Sequence, residues 1–95
     1  MSLFQEHFRL TALRVLKEAP GYTTNSSIIH QVAGEFGIVL SRDQVMTELA
    51  WLAEQGLIES KTAGALVVAT ATARGLDAAE GRAFVPGVQR PAPGA

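Results

Sequence analysis

A chain of 95 residues, 47% hydrophobic and 18% charged, makes one small domain with a modest core, too apolar to be disordered throughout. Eight Lys/Arg against nine Asp/Glu give a formal charge of -1, which excludes a domain held on nucleic acid by a general basic surplus, so any basic patch must be local. The lack of cysteine excludes a disulfide scaffold and a cysteine-ligated metal, and no apolar run approaches the roughly 18 to 20 residues of a membrane span. The N-terminus brings in Glu6, His7 and Arg9 early and lacks the apolar stretch of a signal peptide, so the expectation is a cytoplasmic protein.

The first helix is expected over Leu3–Glu18. Phe4, Phe8, Ala12, Val15 and Leu16 recur at three- and four-residue spacing, and Leu13 widens the stripe. Arg9, Arg14 and Lys17 lie off it and give the helix a basic side. Pro20 and Gly21 end it. A second helix starts near Asn25 or Ser26 and runs to Phe36, with Ile28, Ile29, Val32 and Phe36 as its buried face and Gly37 as its stop. Ile38, Val39 and Leu40 form a short extended segment, expected to add a strand to a later hairpin.

The third helix has the clearest start, because Ser41 followed by Gln44 matches a capping box. Val45, Leu49 and Leu52, with Met46 beside them, face the core, and Gly56 is the expected left-handed stop. Residues 57–61 and 66–70 read as two strands joined by a loop over 62–65 that contains Gly64. A short fourth helix is expected over 72–80, with Leu76 and Ala79 inward. Residues 82–95 hold three of the four prolines and read as an extended tail. The fold expected is mainly α with a small β-hairpin: a winged helix-turn-helix over 1–81, with a three-helix core, a wing and a short C-terminal helix.

The segment Leu49-Ala50-Trp51-Leu52-Ala53-Glu54-Gln55-Gly56-Leu57-Ile58 resembles the end of the recognition helix and start of the wing in bacterial winged-helix regulators of the ArsR, MarR and PadR types. The run from Thr70 to Gly75 is similar to their Leu-Thr-x-x-Gly turn but lacks the Leu. The tail segment Gly81 to Pro91 resembles the Pro-Gly-Val-x-Arg-Pro ending of small winged-helix proteins from Mu-like phages and prophages. These resemblances imply a DNA-binding regulator of phage or prophage type. They carry no metal chemistry here, since His7 and His30 are far apart and lack companion ligands.

In a major groove the third helix would offer Arg42, Gln44 and Thr47 to base edges, Arg42 suiting guanine and Gln44 adenine. Ser26 and Ser27 at the start of the second helix, Lys61 on the wing and Arg14 on the first helix are the phosphate candidates. Each has a structural alternative. Gln44 completes a cap, the serines begin a helix, and Lys61 and Arg14 are solvated. Counting Arg42 against Asp43, Glu48 and Glu54, the third helix carries about -2, which opposes phosphate. The rival expectation is therefore a protein-interaction module anchored by Trp51, Phe84, Val85 and Val88. Trp51 is either an exposed anchor or core beneath the hairpin. The tail is either a flexible end or an arm packed on its own domain or on a partner. The first helix and C-terminal segment are the surfaces expected to serve a homodimer. No phosphate loop, nucleophile elbow or paired carboxylates occur, so neither an enzyme nor a cofactor is expected.

Overall fold

The computed structural model describes residues 2–92. Helix α1 (Leu3–Glu18) opens on a capping box between Ser2 and Gln5 and buries Phe8, Leu10, Ala12, Leu13 and Leu16. A 3-10 turn (Pro20–Tyr22) leads to β1 (Thr23–Asn25), α2 (Ser26–Glu35), α3 (Arg42–Glu54), the hairpin β2 (Ile58–Ala63) and β3 (Leu66–Ala71), and α4 (Ala73–Ala79). Among the described residues this makes four helices and one three-stranded antiparallel sheet, ordered β1-β3-β2. Leu13, Leu16, Ile29, Leu49, Leu52 and Leu57 are fully buried where the helices meet the sheet.

The third strand does not come from where the sequence suggested. Ile38, Val39 and Leu40 form no strand, and β1 occupies that edge instead, pairing Thr23 with Thr70 and Asn25 with Val68. The reason is local. After α2, the Gly37 amide donates to the Gly34 carbonyl and the Ile38 amide to that of Ala33, so the segment is spent closing the helix. The α3 stop repeats this pattern through Gly56 and Leu57, with Gly56 at φ +74°.

Two residues placed on the buried face of α2 are also exposed, Ile28 at 43% and Phe36 at 73%. Only Ile29 and Ala33 of that helix's apolar residues are fully inward, because α1 covers just one flank of α2.

Helix α4 is fastened to the turn between α3 and β2. Thr72 Oγ1 donates to the Gly56 carbonyl at 2.7 Å, and the Thr72 amide donates to the Leu57 carbonyl at 3.1 Å. Gly75 lies so close that a Cβ there would sit 2.0 Å from the Leu57 oxygen, so no side chain fits.

The tail is not an extended end over 82–92. It turns back along α1, with Val85 and Val88 buried to 3% and 4% exposure and the Gln89 amide donating to the Glu6 carbonyl at 3.2 Å. Of the two paths open in the sequence, the arm has packed on its own domain. Residues 93–95 of the expected tail lie outside the described residues, as does Met1.

Candidate nucleic-acid interface

The corner between α2 and α3 is built from caps. Asn25 Oδ1 accepts the Ile28 amide at 2.9 Å and starts α2. Across the connection, His30 Nε2 lies 2.8 Å from the Leu40 carbonyl, which can only accept, so this nitrogen carries the proton. His30 thereby ties the incoming loop to α2. Ser41 Oγ accepts the Gln44 amide at 3.0 Å, while Gln44 Oε1 accepts the Ser41 amide at 2.9 Å. This box fixes Arg42 as the first residue of α3, beside a cleft that it lines with Ser27 and His30 of α2 and Ala65 and Leu66 at the wing.

The structure groups some of the candidate residues and separates others. Arg42 and Ser27 share that cleft, and Lys61 is exposed on the adjacent wing. Among the described residues, Arg42 and Lys61 have no ion pair or hydrogen bond from their side chains. Gln44 and Thr47 lie elsewhere, in a hollow with Phe4 and Leu40. Two steps along a helix rotate a side chain by about 200°, so Arg42 and Gln44 flank opposite sides of α3. The Gln44 oxygen is engaged in the cap, and the Thr47 hydroxyl donates back to the Asp43 carbonyl at 3.2 Å.

Ser26 must be removed from the phosphate set. It is 5% exposed, and its Oγ accepts the Val67 amide at 3.1 Å. Strand β1 ends at Asn25 opposite Val68, and the Ser26 side chain caps the next amide of β3 that β1 no longer reaches. Arg14 stands apart too. It lines a groove with Ile28, Val32 and Phe36, on the far face of α2 from Ser27, His30 and Gln31, which border Arg42.

The charge on α3 also changes. Glu48 is 3% exposed, and its Oε1 takes the Nε–H of Arg9, itself 4% exposed, at 2.5 Å. Gln5 Nε2 donates to the other carboxylate oxygen at 2.9 Å, and Arg9 Nη1 donates to the Gly87 carbonyl at 3.0 Å. The Arg9 guanidinium stacks 3.8 Å from the centroid of the Trp51 ring. No buried side-chain nitrogen or oxygen among the described residues lacks a hydrogen-bond partner.

Arg9 is thus not part of a solvated basic side, and Glu48 is not an outward acid. The exposed charges of α3 reduce to Arg42 and Asp43 at its start and Glu54 at its end. Trp51 is half-buried beneath Arg9. Val85 and Val88 are spent on the domain's own core, so of the tail's expected anchors only Phe84 is exposed, with Arg90 over its ring at 5.5 Å.

A signal for the missed pair lay in the spacing. Glu48 falls within the stripe of Val45, Leu49 and Leu52, and Arg9 within that of Leu13 and Leu16. Two opposite charges, one in each core stripe, are the signature of a buried pair.

No helix among the described residues is long and apolar enough to cross a membrane. No family model matches the chain. The described fold is similar to that of RosR from H. salinarum, with a TM-score of 0.65 and 21% identity over 77% of this chain and 66% of RosR. At that identity the likeness concerns the fold alone, which is winged-helix-like. An uncharacterized protein of Haemophilus influenzae is 50% identical over 56 residues, 59% of this chain and about half of its own length, at 54%. The uncharacterized protein gp26 of Escherichia phage Mu is 41% identical over 91 residues, 96% of this chain and 94% of gp26. Such agreement along nearly the full length of both proteins, on a winged-helix-like fold, makes this chain a member of the family of phage Mu gp26.

Proposed function

We propose that this protein is a DNA-binding regulator of phage or prophage type, working in the cytoplasm by occupying DNA rather than by catalysis. In this reading α3 enters the major groove and the β2–β3 hairpin acts as the wing, the plan of ArsR-, MarR- and PadR-type regulators. Arg42 is the leading base contact, with Thr47 and the free amide end of Gln44 at the other side of the helix. Ser27 and Lys61 are the phosphate contacts.

The observation that carries this reading is the Arg42 cleft. A guanidinium with no partner among the described residues stands at the start of α3 beside the wing, and the one acid in the middle of that helix is neutralised by Arg9. Phosphate therefore meets less repulsion than the bare sequence suggests.

The test is fluorescence anisotropy on a mixed-sequence duplex at low and moderate salt, with Arg42→Ala and Lys61→Ala alongside. Salt-sensitive binding is expected, with each substitution lowering affinity and Lys61→Ala, which removes a phosphate contact, also reducing the salt slope by about 1. A second reading, a protein-interaction module on the same fold, has its own support. The outermost line of α3 is Asp43, Thr47, Ala50 and Glu54, which contains no cation. Absence of binding even at low salt would favour it.

A further inference from the structure

A different concavity, about 620 Å³ in volume, lies between α1 and α2. Val15, Pro20, Ile28 and Val32 line it, and Phe36 stands at its edge with 73% of its surface exposed. Arg14 and Glu18, one turn apart on α1, line the same groove. Neither side chain has an ion pair or hydrogen bond among the described residues. The groove uses the side of α2 turned away from the Arg42 cleft.

We propose that this groove is a two-fold interface through which two copies of this chain associate. A two-fold contact demands one patch that complements itself, since each residue meets in the partner what its own counterpart meets in return. This patch has that property twice. It carries both an apolar knob, Phe36, and an apolar hollow to receive one. It also carries both a cation and an anion without partners, so Arg14 of one copy faces Glu18 of the other, and the reverse.

A small ligand fits less well. It would cover only the face of Phe36 that lines the hollow and leave Arg14 and Glu18 unpaired, whereas a second copy covers the rest of the ring and pairs both charges. Because the interface and the Arg42 cleft occupy opposite sides of α2, the association does not depend on the DNA reading, and either one can fail alone.

Sedimentation equilibrium of the full chain tests this over a range of concentrations. The wild type is expected to reach twice the chain mass of 10.1 kDa. Phe36→Ser is expected to weaken self-association at least about tenfold, as for the loss of an aromatic anchor. Arg14→Glu and Glu18→Arg are each expected to weaken it about tenfold by facing like charges across the axis. The double variant Arg14→Glu/Glu18→Arg restores it, and mixing the two single variants gives a mixed dimer. Unchanged thermal unfolding of the dilute variants separates these effects from misfolding. A wild type that stays monomeric to about 1 mM, a scale at which even weak association registers, overturns the proposal. So does a dimer indifferent to Phe36 and to charge reversal. A monomer whose groove binds an apolar dye, lost in Phe36→Ser, also overturns it and assigns the groove to a ligand.

Discussion

The two flanks of α1 treat their residues in opposite ways. Toward α3 and the tail, the helix buries charge, with Arg9 and Glu48 held in a closed network with Gln5, Trp51 and the Gly87 carbonyl. Toward α2, it leaves apolar groups outside, with Ile28 and Phe36 bordering an open groove. The contrast teaches that burial here follows from which elements close over a site. Where α3 and the returning tail cover α1, even a guanidinium is sealed in. Where nothing covers the pair of helices, isoleucine and phenylalanine remain in solvent.

That contrast is open to mutation. The largest effect is expected from Glu48→Ala, which strands the Arg9 charge in the interior. Breaking one half of a buried pair costs about 3 to 5 kcal/mol, and urea unfolding will measure it. Replacing both, as Arg9→Met with Glu48→Leu, should cost far less, because no charge is left unpaired. An equal loss in the single and double variants would mean that shape rather than charge holds this flank together.

Val88→Ala comes next, at about 2 kcal/mol, since two methyl groups leave a core closed by the tail. A neutral result would show that the tail does not stay packed on α1 in solution. The smallest effect is expected from Ile28→Ser, within about 0.5 kcal/mol when measured on dilute protein, as for an ordinary surface position. A larger loss would place Ile28 inside the monomer's own core and erase the contrast.

What was legible in the sequence was whatever is decided within a few residues. The Ser41–Gln44 box, the Gly56 stop and the two hairpin strands are local, and the structure has each of them. The strand expected at Ile38 to Leu40 failed because apolar extended residues fit a helix cap as well as a sheet, and three residues cannot choose between them. The Arg9–Glu48 pair spans 39 positions, and rating each charge singly put both outside. Ser26 read as a helix start, which it is, but its second duty toward Val67 depends on where β1 stops. In the candidate interface, Arg42, Ser27 and Lys61 are nominated by residue type and helix order. The separation of Gln44 and Arg14 from them needed the third dimension.

The sheet order carries a consequence for the timing of assembly. Its central strand is the last of the three to occur in the chain, so no ladder exists until residues 66–71 are present. The β2–β3 hairpin closes over a two-residue turn and is a microsecond-scale event, about 1 to 10 μs. Strand β1 must instead find its place across a separation of 47 residues, marked by the Thr23–Thr70 hydroxyl contact. Closing so long a loop costs more entropy than closing the hairpin does. The wing is thus the local half of the sheet, quick to close but marginal until it packs on the rest. The strand that ties α1 and α2 to it is the late half, whose arrival turns separate helices and a hairpin into one body.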